Sequence, residues 1–201
     1  WWETFKQPLR FVPGNEVMGL LDLHGEHPAA LARVVDFKRY VGREGLPYLE
    51  RALALIPFWP KLWTWRALIL KHAAASPPEV EDSYAKALAL CPRYADALLG
   101  SADWKKSYGQ FAESLAAWRS ILDDWKNLRR EEADWDDQRR AAMECIRCAA
   151  LLGRASEACE LIREAKSRWG VTLFKAELVR DGELKALQET PEFLKALEGL
   201  D

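Results

Sequence analysis

The sequence contains no apolar run of about 18 residues, which is the length that a membrane-spanning helix needs. The longest candidate, from Ala67 to Ala75, is interrupted by Lys71 and His72. We therefore expect no segment of this chain to insert into a bilayer.

The sequence also lacks an excess of charge of either sign. Its 29 Lys and Arg residues nearly balance its 31 Asp and Glu residues, and the formal net charge is −2 at pH 7. Proteins that bind nucleic acid directly carry a basic patch or stripe that attracts phosphates. Direct nucleic-acid binding is therefore not expected.

Cysteine is scarce: the four residues are Cys91, Cys145, Cys148 and Cys159. They lie within helical patterns and do not form a disulfide framework, which favours a reducing compartment. We expect a cytoplasmic location, with a processed organellar protein as the alternative. Cys145 and Cys148 form a Cys-x-x-Cys pair, but a structural zinc site needs four ligands and there is no second pair. We predict that these cysteines pack between helices as small apolar side chains.

Motifs that carry catalysis are missing as well. The sequence has no Gly-x-Ser-x-Gly, no glycine-rich phosphate loop and no His-Glu-x-x-His. His24 and His27 stand three residues apart without a third metal ligand, so turn and helix-start positions are the better interpretation. We predict that the protein is not an enzyme and binds neither metal nor cofactor.

An internal repeat is present. The segment 51–57, Arg-Ala-Leu-Ala-Leu-Ile-Pro, recurs 35 residues later as Lys-Ala-Leu-Ala-Leu-Cys-Pro at 86–92. In each copy a small alanine lets two helices approach closely, the leucines bury, and the proline stops the helix. Gly109 and Gly153 are placed to make the left-handed turn between the two helices of a hairpin. A period of this length is typical of helical repeat proteins.

These residues resemble the tetratricopeptide repeat, a unit of about 34 residues with a tryptophan, leucine, glycine, tyrosine, alanine, aromatic and proline pattern. The unit from Pro60 to Pro92 matches best, and it carries the pattern at Trp63, Ala67, Tyr84, Ala87 and Pro92. The following unit keeps Ala102, Gly109, Phe111 and Trp118. The resemblance implies an all-α fold, a right-handed superhelical α-solenoid of helix hairpins.

The resemblance also implies a division of the chain into three parts. Residues 1–27 are expected to form an N-terminal extension with a short helix, and residues 28–170 about four helix pairs. Residues 171–201 are expected to form capping helices, because the last repeat of a solenoid otherwise exposes an apolar face.

A binding surface follows from the same resemblance, because the first helix of each hairpin lines the concave face that carries the ligand in such arrays. The residues that alignment places there, and that we predict to bind a partner, are Lys61, Thr64, Leu68, Lys71, His72, Asp103, Lys106, Arg140 and Arg147. Because cations prevail among them, the expected partner is an acidic or carboxylate-bearing peptide.

Tryptophan is unusually frequent, with ten residues, and this offers a second kind of binding surface. Trp59, Trp125 and Trp135 fall at helix ends and loops, where a large rigid ring can contact a partner at little cost in entropy. For each of them, packing in the core is the alternative.

The leading interpretation is a protein–protein interaction scaffold or adaptor, acting as part of a larger complex. One alternative is a scaffold of the half-a-tetratricopeptide type in an RNA-processing or ribonucleoprotein assembly, because that class also spaces tryptophans through helix pairs. The other is an accessory interaction domain of a larger enzyme, since the chain does not begin with methionine.

Overall fold

The computed structural model describes residues 42–129, 135–198 and 200. The predicted N-terminal extension, residues 1–27, lies outside the described residues, and so do His24, His27 and the start of the first predicted helix pair. The chain divides into two compact units, residues 1–90 and 91–201, and each is described by itself.

The first unit contains three α-helices in its described part. After a 3-10 helix over Gly42–Gly45, these are α1 (Leu46–Leu55), α2 (Pro60–His72) and α3 (Pro77–Leu90). Helices α1 and α3 both end two residues before the proline of the repeated segment, Pro57 and Pro92, as the sequence predicts. Helices α2 and α3 pack together, and the two repeated alanines, Ala52 of α1 and Ala87 of α3, are fully buried.

The second unit contains two long helix hairpins followed by short helices. The hairpins are formed by α4 (Ala95–Ser107) with α5 (Phe111–Asp123), and by α6 (Trp135–Leu151) with α7 (Ala155–Trp169). Gly109 and Gly153 have φ of +75° and +71°, the left-handed conformation predicted for the hairpin turns. A third glycine, Gly170, ends α7 in the same way.

The connection between α5 and α6 is longer than the other turns. It contains a 3-10 helix over Trp125–Asn127 and then runs beside the start of α4, where the Arg129 N–H donates to the Arg93 carbonyl at 2.7 Å. The Ala95 N–H donates in turn to the Arg129 carbonyl at 2.9 Å. The chain that leaves the first hairpin is thereby tied to the start of α4.

The C-terminal segment consists of short helices that pack on the second hairpin. They are α8 (Lys175–Arg180), a 3-10 helix over Gly182–Leu184, α9 (Lys185–Gln188) and α10 (Pro191–Ala196). Helix α10 packs on α7, and the 3-10 helix packs on α6. The buried side chains Leu178, Leu184 and Phe193 join the core of this unit.

The described residues form helices and no strand, with a single isolated bridge between Tyr94 and Arg129, which confirms the all-α fold class. In the same ranges no helix combines the length and the apolar composition needed to cross a bilayer.

Candidate functional site

A network of charged side chains lies where α4 and α6 meet the C-terminal segment. Lys106 of α4 donates to Glu144 of α6 at 2.7 Å and to Glu183 at 2.5 Å. Arg147 of α6 donates to Glu144 at 2.6 Å and to Asp181 at 2.7 Å. Two cations that alignment placed on a binding surface therefore share three carboxylates of the same chain.

Most of this network is shielded from water. The side chains of Glu144 and Asp181 are 8% and 6% exposed, whereas that of Glu183 is 42% exposed. Burial lowers the pKa of Lys106 and of Arg147, but their hydrogen bonds to these carboxylates outweigh it and raise the pKa of both groups. Both cations consequently remain charged at neutral pH.

Two further predicted residues lie on the same pair of helices. Arg140 of α6 is 3.5 Å from the carboxylate of Asp103 of α4, which makes a second ion pair between these helices. The structure thus brings Asp103, Lys106, Arg140 and Arg147 together on α4 and α6. The expected basic surface is, in this unit, an alternation of cations and carboxylates.

The other five predicted residues lie on α2, in the first unit, and one of them needs correction. Thr64 is only 2% exposed, and its hydroxyl donates to the Pro60 carbonyl at 3.1 Å. This bond to the residue four positions earlier satisfies the hydroxyl within the helix. Thr64 is a packing residue and is not available to a partner.

The remaining four residues of α2 are at least partly accessible. Lys61 Nζ lies 5.2 Å from the ring centroid of Trp65, a cation–π distance, and Leu68 and Lys71 are half-buried. His72 is exposed at the end of the helix.

The three tryptophans selected as candidate contacts differ in their surroundings. Trp59 is half-buried and tilted against Trp65, with ring centroids 6.4 Å apart. Trp125 is half-buried against the core of the second unit. The backbone of Trp135 begins α6, and its side chain lies outside the part of the chain that the structure describes.

At the connection between α1 and α2, the sequence indicated Trp59 as a candidate contact, whereas two further aromatic residues, Phe58 and Trp63, were missed. Phe58 is 70% exposed, and it is followed by the half-buried Trp59 and Trp63. The indole N–H of Trp63 donates to the Pro57 carbonyl at 2.7 Å, and Lys86 Nζ lies 4.7 Å from the centroid of the same ring. Phe58, Trp59 and Trp63 are called the aromatic corner below. Its signal in the sequence was a run of aromatic residues around two prolines.

The predicted packing of the cysteines is confirmed for three of them. Cys145, Cys148 and Cys159 are fully buried in α6 and α7, and burial raises the pKa of each thiol. A protonated thiol is a poor nucleophile and a poor metal ligand. Within the described ranges, no group of three or more His, Cys, Asp or Glu side chains is arranged around a metal position.

Thiol labelling is expected to separate Cys91 from these three residues. In the folded protein, a thiol reagent such as Ellman's should react rapidly with the partly exposed Cys91 only, and with all four thiols after denaturation. Raising the pH to about 9, near the ordinary pKa of a free thiol, should not make Cys145 or Cys148 reactive, because their pKa lies higher. Rapid labelling of either residue in the folded protein would contradict the packing described above.

Solved structures of three proteins are similar to this one over most of its length. TTC0263, a thermophilic TPR protein of Thermus thermophilus, superposes with a TM-score of 0.55 at 15% identity, over 92% of this chain and 89% of that one. PilW, a widely conserved type IV pilus biogenesis factor, gives a TM-score of 0.65 at 18% identity, over 92% and 81%. PilF of Pseudomonas aeruginosa gives 0.63 at 13%, over 93% and 76%. The chain has a tetratricopeptide-like repeat fold.

The tetratricopeptide-like fold is all that these similarities establish, because the identities are low. The sequence matches no family model and no curated protein. In a tetratricopeptide-like arrangement, α2, α4 and α6 are the first helices of the hairpins with α3, α5 and α7. The charged network therefore lies on first helices of the second unit, which are the helices from which the candidate partner-binding residues were drawn.

Proposed function

We propose that the protein is a scaffold that binds a protein partner through the first helices of its hairpins. The observation that carries this proposal is that the α4–α6 surface holds carboxylates from a distant part of the chain, Asp181 and Glu183. The repeat fold supports the same role, because stacked helix pairs present extended surfaces for binding. An acidic or carboxylate-bearing partner segment fits the cations on α4 and α6.

We propose further that this role is non-catalytic. Three of the four thiols, the side chains that ordinarily serve as strong nucleophiles, are buried and have a raised pKa, which opposes reactivity. The cations of the α4–α6 surface are already neutralised by carboxylates. The pathway and the expected cytoplasmic location stay predictions.

Capture of the partner tests the scaffold role. The full chain, immobilised, is used to isolate proteins from an extract of its own source cells, and each candidate is then purified and its affinity measured at low and at high salt. An acidic partner on the first helices should bind more weakly at high salt, because charges are screened over about 8–10 Å. If no purified candidate binds the folded chain, the scaffold role is contradicted.

A charge reversal on α2 tests whether this helix takes part in binding. Lys71→Glu tests the first unit, where this half-buried lysine stands near the end of α2. The corresponding change at Arg147 is unsuitable, because a carboxylate there would face Glu144 and Asp181 and destabilise the fold. A partner that uses the first helices is expected to bind Lys71→Glu more weakly at low salt.

The aromatic corner offers a different mode of binding, and Phe58 is the residue that tests it. Because Phe58 is 70% exposed, Phe58→Ser should leave the melting temperature within a few degrees of the wild type. If the partner docks on the aromatic corner, this change should weaken binding about tenfold or more, and the loss should be insensitive to salt. Leu194→Ser, at a residue 60% exposed in the C-terminal segment, is the matched control. Equal affinity of both variants and the wild type would remove the aromatic corner from consideration.

A further inference from the structure

We propose that Asp181 and Glu183 are an internal occupant of a carboxylate-binding site formed by Lys106 and Arg147. The external ligand of this site is then a protein segment that carries two carboxylates two residues apart, of the type Asp-x-Glu, and it competes with the chain's own turn. This inference rests on the proposed scaffold function and names the partner chemistry and the regulation of its surface.

The geometry of the turn defines what the ligand must resemble. Asp181 accepts the backbone N–H of Glu183 at 2.9 Å through one carboxylate oxygen, which starts the 3-10 helix over Gly182–Leu184. Its other oxygen accepts from Arg147 at 2.7 Å, while Glu183 accepts from Lys106 at 2.5 Å. Glu183 also lies 3.4 Å from Arg147, so the two carboxylates together contact cations on both helices, α4 and α6. A segment of the type Asp-x-Glu reproduces this set of contacts.

Charge balance shows why this site needs a carboxylate ligand. Glu144, which is buried, neutralises only one of the two cations, so Lys106, Arg147 and Glu144 alone carry one surplus positive charge. A surplus charge is costly where water is largely excluded. The cations are therefore most stable when they are paired with carboxylates. The carboxylates of a partner can take the place of those of Asp181 and Glu183.

The internal occupant is held in a way that permits exchange. Leu178 and Leu184 are fully buried on either side of the turn, so the C-terminal segment as a whole stays docked. Glu183 is 42% exposed and can rotate into water, so its ion pair with Lys106 is easier to break than one between two buried side chains. Asp181 is 6% exposed and is replaced only when the turn opens. The first carboxylate of a ligand is thus expected to replace Glu183 at Lys106.

The test uses the full chain and two capped synthetic peptides. One has the sequence of residues 179–186, Val-Arg-Asp-Gly-Glu-Leu-Lys-Ala, and the other carries Asn and Gln in place of its Asp and Glu. The protein variant D181N/E183Q removes the internal carboxylates but keeps an oxygen that can accept the backbone N–H of residue 183. Because an internal competitor acts at an effective concentration of the order of millimolar, the acidic peptide is expected to bind this variant about tenfold or more tightly than the wild type. The neutral peptide should bind neither protein.

Adding K106M to D181N/E183Q provides the matched control, since it removes the cation and keeps most of the side-chain length. Binding of the acidic peptide should be lost, and binding to D181N/E183Q should weaken as salt rises. The proposal is overturned if folded D181N/E183Q, checked by circular dichroism, binds the acidic peptide no more tightly than the wild type, or if K106M leaves binding unchanged. If the double variant does not fold, the single variant E183Q, at the exposed position, replaces it. The same results then support or overturn the proposal, with a smaller expected increase in affinity for the acidic peptide.

The same variants separate this inference from the scaffold role. A purified protein partner that binds the wild type, D181N/E183Q and D181N/E183Q/K106M equally would overturn the carboxylate site and leave the scaffold function intact. Failure of every purified candidate to bind the wild type would contradict the scaffold function itself.

Discussion

Ala87→Trp is expected to lower the free energy of unfolding by about 1–3 kcal/mol or more, because a core without space accepts a larger side chain only by moving its neighbours. Ala87 is fully buried in α3, and α3 packs on α2. The replacement adds an indole where only a methyl group fits. Urea denaturation of the purified protein, followed by circular dichroism, measures the change.

Ala89→Trp is the matched control for this substitution. Ala89 lies in the same helix two residues further on and is exposed, so its replacement should change stability by less than about 0.5 kcal/mol. If Ala87→Trp proved as stable as Ala89→Trp, the burial of the repeated alanine would be refuted, and with it the register of the repeat.

Trp118→Ala is expected to cost about 3–5 kcal/mol of unfolding free energy, the range for removing a buried aromatic side chain. Trp118 is fully buried in α5 and belongs to the core of the second unit. Its indole N–H has no hydrogen-bond partner among the described residues. The expected loss therefore comes from apolar burial and the cavity left behind, with no broken hydrogen bond to add to it.

Trp118→Phe tests whether the loss of stability comes from apolar contact and not from the indole N–H. Phenylalanine keeps most of the apolar contact and lacks the N–H, so this variant should retain well over half of the stability that Trp118→Ala loses. Denaturation midpoints of the three proteins under one set of conditions provide the comparison. A Trp118→Ala protein whose midpoint equals that of the wild type would show that α5 does not pack as described.

Much of the fold could be predicted because the relevant signals are local. Pro57 and Pro92 limit their helices, since proline interrupts helical hydrogen bonding. Gly109 and Gly153 mark hairpin turns, since glycine adopts positive φ without strain. The buried cysteines were recognised from their helical spacing among apolar residues. Thr64 was placed wrongly, because alignment assigned it to a helix face and could not show that its neighbours cover it.

By itself, the sequence determined the succession of helices, the turns that join them and the small residues where helices touch. Each of these depends on residues a few positions apart along the chain. Only the tertiary structure decided what Lys106 and Arg147 contact, because their carboxylate partners in the C-terminal segment lie 77 and 34 positions away. An ion pair has no periodicity to reveal it, and its formation depends on where folding brings two charges. For this reason the sequence indicated a binding surface with a basic tendency, whereas in the folded chain an acidic turn already contacts two of its cations, Lys106 and Arg147.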